Sequence, residues 1–350
     1  MRQSRTLRTE PRIRAFGRRA LTIPAVALGF LLVTVLLPVL ALAGLAIDAI
    51  RLARGRRAVA LRVAAYAWCY LFGETAGLFM YLLLWIASGF GLASRALERW
   101  TFVLQRWWCA WLFRSVRVVF RLRLSVEGAS EVAAGPFVLL TRHASIIDTL
   151  IPAAVAQAPF GIRLRYVFKK ELLWDPCLDV ATDRVPGVFL SRSGEESEQQ
   201  IELVRRVARD LTPRDAVLIF PEGTRFTPGK RDRVVAKLRA SGDTSLAERA
   251  AGLRNVLPPR LGGTLSLLEP SVGADVVICE HTGLEGFATV GDVWNGSLVG
   301  STIRVRLRRF PRSEIPNDPD AQAGWLFDRW SEVDAWISGE PAEPLEPARR

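Results

Sequence analysis

The feature that most constrains this chain is an apolar run from Leu21 to Ile50, broken only by Asp48, with Pro24 and Pro38 inside it. As a helix rising 1.5 Å per residue it reaches about 45 Å, more than the roughly 30 Å of a hydrocarbon core. It is longer than a signal-peptide core and no A-x-A site closes it, so it is expected to be retained. A second apolar stretch runs from about Ala64 to Ala93, interrupted by Glu74 and several glycines. Residues 21–94 are therefore expected to form membrane-embedded helices behind a basic tail, residues 1–20. Arginines flank the first run on both sides: Arg12, Arg14, Arg18 and Arg19 before it, Arg51, Arg54, Arg56 and Arg57 after it. Two simple spans then conflict with the positive-inside rule. Either the run is a hairpin around Pro38 with both ends cytoplasmic, or the rule is broken locally. Glu74 is either a functional intramembrane acid or a side chain facing a helix partner or the interface.

Charge sharpens this picture. The chain has 350 residues and a formal net charge of +12. Residues 1–62 hold twelve Arg against Glu10 and Asp48, whereas residues 63–350 are almost balanced, with 35 basic and 33 acidic side chains. The excess is a property of the N-terminal end, which suits an anionic cytoplasmic leaflet and argues against nucleic acid as a partner. Half of the residues are hydrophobic, which excludes a disordered basic chain. Cys69, Cys109, Cys177 and Cys279 show no metal-ligand spacing, and with His143 and His281 as the only histidines no metal site is expected.

From Ser94 to Arg117 the pattern is that of an amphipathic interfacial helix. Arg95, Arg99, Arg106 and Arg117 share one sector, and Trp100, Leu104, Trp107 and Trp111 a neighbouring one. These tryptophans either sit at headgroup depth or pack on the domain that follows. From Val118 alternation sets in, with Phe120, Leu122, Leu124 and Val126 against Arg121, Arg123 and Ser125, the period of a strand. Apolar bursts at Phe137–Leu140, Val188–Leu190, Ala216–Phe220 and Ala274–Ile278 read as strands buried on both faces. A helical pattern covers Ser193–Leu211, a late strand Ile303–Arg309, and a last helix Ala321–Ile337. The fold class is α/β, a sheet flanked by helices over residues 118–340 and preceded by the membrane-embedded helical region. The Pro/Glu/Arg-rich tail, 341–350, is expected to be disordered.

Two segments carry the chemistry. Thr141-Arg142-His143-Ala144-Ser145-Ile146-Ile147-Asp148 follows an apolar burst, so His143 leaves a strand end. Residues five apart diverge on one continuous helix, but a loop-to-helix bend lets Asp148 reach a ring nitrogen of His143. That fixes the tautomer and raises the basicity of the other nitrogen, suiting removal of a proton from a substrate hydroxyl. Phe220-Pro221-Glu222-Gly223-Thr224-Arg225 also ends a burst; Gly223 lets backbone N–H groups approach an anion, and Arg225 offers a planar fork for phosphate. Beside the dyad only Ser145 could serve as a nucleophile.

HxxxxD followed by FPEGTR, behind an apolar N-terminus, resembles the glycerolipid acyltransferase family, the 1-acyl-sn-glycerol-3-phosphate acyltransferases and their lysocardiolipin-acylating branch. The likeness runs from about Arg95 to Ile337 and includes Gly187–Arg192, Phe168–Leu172 and Val256–Gly263. It implies that His143 is the general base with Asp148 its orienting partner. It implies that Glu222, Gly223, Thr224, Arg225, Arg192 and Lys169 hold the glycerol phosphate. Pro258 and Arg260 would border the acyl or thioester end. The acceptor would be a lysophospholipid and the co-substrate acyl-CoA or acyl carrier protein, with no other cofactor. The sn-2 hydroxyl would attack the thioester directly, on the cytoplasmic face of the cell membrane. Another lysophospholipid or glycolipid acceptor is an alternative, as is a membrane-anchored scaffold with an inactive fold. The sequence departs from the family at Arg142, where Asn is usual, at Asp179, where Gly is common, and at Leu261, where Thr is common. His281 is read as structural.

Overall fold

The computed structural model describes residues 10–191, 197–285, 287 and 289–339. The expected disordered tail and the first nine residues lie outside that set. The strands are β1 (Arg123–Glu127), β2 (Phe137–Thr141), β3 (Arg163–Lys169), β4 (Val188–Leu190), β5 (Asp215–Ile219), β6 (Asp275–Thr282) and β7 (Thr302–Phe310). They form one mixed sheet in the order β1-β7-β6-β2-β5-β3-β4. Neighbours run parallel except β6 and β7.

Alternation within each strand decides which face it covers. Phe137 and Leu139 of β2, with Ala216 and Leu218 of β5, join Ile151 and Val155 in one core. Val138, Leu140, Val217 and Ile219 point the other way, onto Val204 and Val207 of helix Glu198–Val207 and Leu326, Trp330 and Val333 of helix Pro319–Ser338. That helix contains the expected Ala321–Ile337. The other falls inside the Ser193–Leu211 pattern, whose first four residues are not described. The sequence pattern does not signal β3, because charges interrupt it. Arg165 is nonetheless buried there, donating to the Val207 and Arg209 carbonyls at 3.1 and 2.7 Å and to Asp215 at 3.0 Å.

Four long helices precede the sheet: α1 (Arg12–Val35), α2 (Leu37–Ala53), α3 (Ala60–Ala87) and α4 (Ser94–Phe120). The apolar run does not turn back at Pro38. Leu36 stays right-handed helical, its N–H bonding the Leu32 carbonyl and its carbonyl accepting from Leu40 N–H, both at 2.9 Å. Pro38 lacks the N–H that would continue the ladder, so the backbone is interrupted without reversing. The reversal comes after Ala53. Asp48 caps the next helix, accepting the N–H groups of Val59, Ala60 and Leu61 at 2.8, 2.8 and 3.1 Å. α3 then returns antiparallel beside both α2 and α1, with Leu61 against Gly44 and Leu71 against Gly29.

α3 packs in turn on α4. Gly73 and Gly77 of α3 leave no room for a side chain: a Cβ would lie 2.7 Å from the Trp111 ring and 2.9 Å from Cys177 Sγ. Glu74, between them, is fully buried; it accepts from Trp108 Nε1 at 3.0 Å and Cys177 N at 3.3 Å. It thus faces the α4 helix and the domain that follows, and is not open to a membrane interior. α4 keeps its arginine face, with Arg95, Arg99, Arg106 and Arg117 exposed. Its other face, Phe102, Leu104, Trp108, Leu112, Phe113 and Val116, is buried against α3 and the domain, while Trp100 remains exposed. The helix continues three residues past Arg117, and Arg121 closes it in the left-handed conformation. Phe120 is therefore helical, and the expected strand begins only at Arg123.

Both ends of the α1–α2 pair are fastened to the sheet domain. Near its start, Arg18 and Arg19 bond the buried Asp179 at 2.9 and 2.8 Å, and Arg19 bonds Asp183 at 3.2 Å. These acids belong to helix Pro176–Thr182 and the residue after it. Near its end, Arg51 donates to the Trp294 carbonyl at 2.8 Å and lies over that ring, and Arg57 donates to the Val299 carbonyl at 2.6 Å. Between these points Leu28, Leu31, Leu32, Val39, Leu42 and Leu45 are exposed. Asp179→Ala should leave two arginines without their shared carboxylate. A loss of about 2–4 kcal/mol is expected, read as a lower unfolding temperature in detergent with earlier proteolysis within α1.

Candidate active site

β2, β5 and β6 run side by side in parallel, and their carboxyl ends build the site, the usual place in an open α/β sheet. His143 lies two residues beyond β2, and Glu222 three beyond β5, whose Ile219 pairs with Leu140. The loop after His143 bends into a short 3-10 turn that starts at Asp148. This brings His143 Nδ1 to 3.0 Å from Asp148 Oδ1. The other oxygen accepts the N–H groups of Ala144 and Ser145, each at 2.6 Å, so the acid also shapes the loop that carries the histidine. Burial works to raise the Asp148 pKa, but the charge and hydrogen bond of His143 outweigh it and hold the acid below its usual range. The His143 ring rests on Phe220, with centroids 4.6 Å apart. Its Nε2 has no protein partner among the described residues.

Glu222 has main-chain partners that the sequence does not mark. It is 2% exposed; Oε1 accepts His143 N–H at 2.7 Å and Oε2 accepts Leu257 N–H at 2.8 Å. Both oxygens are committed to main chain, so its carboxylate is a strut joining three loops. Burial pushes its pKa up to about 8 against those two hydrogen bonds. Phe226 N–H returns a bond to the His143 carbonyl at 2.8 Å, which closes the join.

Gly223 has φ +64°, and a Cβ there would lie 2.5 Å from Arg260 Nε. The positive φ favours glycine, and any side chain there would also displace Arg260. Arg260 thus lies across the FPEGTR loop, and its N–H bonds the Pro221 carbonyl at 2.9 Å. Pro258 is buried beside the Leu257 anchor. Lys230, which the sequence did not mark, donates from Nζ to Thr224 Oγ1 at 3.2 Å and to the Arg225 carbonyl at 3.0 Å. The Arg225 guanidinium is half-buried and pairs with no carboxylate among the described residues. Lys169 ends β3 on the same edge of the sheet. Arg192 lies outside the described residues. Ser145 is not placed as a nucleophile: it is fully buried, donates to the Phe287 carbonyl at 3.1 Å and accepts from Ile147 N–H. Among the described residues no cluster of His, Cys, Asp and Glu could hold a metal ion.

Two further residues close the back of the dyad. Arg142 is buried and donates to the carbonyls of His281 and Asn255 at 2.6 and 3.0 Å, and to Glu285. His281 is fully buried, and burial lowers its pKa to about 4. The folded state therefore resists protonation that the unfolded chain accepts near 6.5. Stability from this group is complete above that value and is lost as pH falls through about 4. Unfolding temperature against pH should accordingly fall less steeply below pH 6.5 in His281→Gln than in the parent. Glu222→Gln replaces one acceptor by an NH2 facing a backbone N–H, and is expected to lose about 1–3 kcal/mol in thermal unfolding.

Comparison with known proteins finds similar chains. Residues 123–257 match the family model described as Acyltransferase. The chain is 26% identical over 239 residues to 1-acyl-sn-glycerol-3-phosphate acyltransferase 3 of Arabidopsis thaliana, covering 66% of this chain and 58% of that one. It is 30% identical over 152 residues to 1-acyl-sn-glycerol-3-phosphate acyltransferase of Pseudomonas aeruginosa, covering 43% and 54%. The chain thus spans little more than half the length of these curated relatives. A solved structure, the 1-acyl-sn-glycerophosphate acyltransferase PlsC of Thermotoga maritima, superposes with TM-score 0.41 and 11% identity over 77% of this chain and 99% of that one. That superposition is too loose to argue from. Residues 123–257 thus match the Acyltransferase family model, and the chain, with its HxxxxD and FPEGTR blocks joined at one sheet edge, is similar to 1-acyl-sn-glycerol-3-phosphate acyltransferases.

Proposed function

We propose that the chain is a membrane-associated O-acyltransferase. It transfers a fatty acyl group from acyl-CoA or acyl carrier protein to the sn-2 hydroxyl of 1-acyl-sn-glycerol-3-phosphate, giving phosphatidate. The observation that carries this reading is His143, with Nδ1 tied to Asp148 and Nε2 unengaged beside the FPEGTR loop. Nε2 takes the acceptor hydroxyl's proton as the oxygen attacks the thioester carbonyl. The tetrahedral intermediate then collapses, and the departing thiolate receives that proton. Transfer is direct, because the Ser145 hydroxyl is already bonded to main chain. Arg225, free of a carboxylate partner among the described residues, is suited to the phosphate of the acceptor. Lys230 and Arg260 fix the loop that presents it, and Lys169 and Arg192 are further candidates for that charge.

The long helices set the approach of the lipid. A span that put Arg18 and Arg51 on opposite sides of a bilayer would break one of two sets of bonds to the same domain. The α1–α2 pair is therefore read as lying within one leaflet, its apolar side down and both basic ends toward the cytoplasmic surface.

Purified protein should convert lysophosphatidate and acyl-CoA to phosphatidate, with the product identified by lipid mass analysis. His143→Ala should lower kcat by about 100-fold or more with the fold intact; equal activity would remove His143 as base. A panel of lysolipid acceptors decides whether the phosphomonoester is preferred. Cysteines introduced at the exposed Arg14 and Arg54 should react with an impermeant maleimide from the same side of sealed vesicles.

A further inference from the structure

One peptide group at the root of the dyad is gripped at both of its polar atoms by buried side chains. It is the peptide between Arg142 and His143. Its N–H donates to Glu222 Oε1 at 2.7 Å, and its carbonyl lies 3.1 Å from His281 Nε2. Glu222 comes from the loop after β5 and His281 from β6, so the peptide is held from both neighbours of β2. The hold on the carbonyl side is reciprocal: Arg142 Nη1 donates to the His281 carbonyl at 2.6 Å. The second Nη reaches Asn255 O at 3.0 Å, and Glu285 balances the guanidinium charge. Arg142 is 1% exposed and His281 0%.

The tautomer follows from the partner. A carbonyl only accepts, so the proton is on His281 Nε2. Among the described residues Nδ1 has no partner and is left as a bare acceptor. His281 Nε2 is also 3.7 Å from Asp148 Oδ2, too far for a hydrogen bond.

We propose that His281, clasped with Arg142, is a positioning residue for His143. It holds the Arg142–His143 peptide in the plane that directs His143 Nδ1 at Asp148 and leaves Nε2 facing the acceptor. The benefit to turnover rests on the acyl-transfer reading above; the holding itself does not. Arg142 and His281 form a matched pair, since each side chain bonds the other's main chain.

With two histidines in the chain, 15N-histidine labelling yields two ring signatures. In the parent, His143 should show a protonated Nδ1 and His281 a protonated Nε2. His281→Gln keeps a donor near the Nε2 position, so His143 should retain its signature and kcat should stay within about threefold. His281→Leu removes the donor. His143 should then show mixed tautomers, and kcat should fall about tenfold or more, with the lysophosphatidate KM within about twofold. Arg142→Lys keeps the cation but loses the fork, and should act in the same direction should the Leu variant not fold. A parent-like kcat and tautomer in His281→Leu or, failing that variant, in Arg142→Lys would overturn the clasp. So would a Gln variant as impaired as Leu. A parent inactive on every lysolipid would instead overturn the acyl-transfer reading, with the ring signatures still deciding the clasp.

Discussion

The site depends on a carboxylate that need not touch substrate. Glu222 takes one main-chain N–H from the histidine loop and one from the proline-bearing loop at Leu257. Each loop hangs from a different part of the fold, and without a shared acceptor both donors would be buried unpaired. The carboxylate therefore does at the sheet edge what a strand pairing does within the sheet. It makes the positions of His143, Gly223 and Arg260 depend on one another.

Much of this was legible in the sequence, and the reasons differ by residue. The bursts at Phe137–Leu140 and Ala216–Phe220 announce buried strands because parallel strands covered on both faces need unbroken apolar runs. The bend that joins His143 to Asp148 followed from excluding a continuous helix. β3 was hidden because Arg165 satisfies its charge with Asp215 and three main-chain carbonyls, contacts that arise only after folding. The main-chain partners of Glu222 were hidden for a similar reason: a side chain's partners are not encoded in its neighbours. The pairing of Arg142 with His281 joins positions far apart in the chain, and nothing local marks it. The departure at Asp179 was visible, yet its meaning lay in two arginines of α1.

The basic N-terminal end also reads differently once folded. Arg18, Arg19, Arg51 and Arg57 face protein, bonding acids or carbonyls of the sheet domain. The cations left for an anionic surface are the exposed ones, such as Arg12, Arg14, Arg54 and Arg56, together with the outer face of α4. Net charge alone overstated the attraction and concealed the docking.

The double fastening of the α1–α2 pair carries one more consequence. A tether that crosses a bilayer leaves its cargo free to swing, so the distance from catalyst to lipid fluctuates. Here the apolar pair and the sheet share rigid attachment points more than thirty residues apart, at Arg18 and Arg51. On the one-leaflet reading proposed above, the depth to which the helices sink would set the height of His143 above the acyl chains. Bilayer thickness and lateral pressure would then become variables of the proposed reaction, and the same protein in membranes of different lipid composition would meet its substrate at different heights.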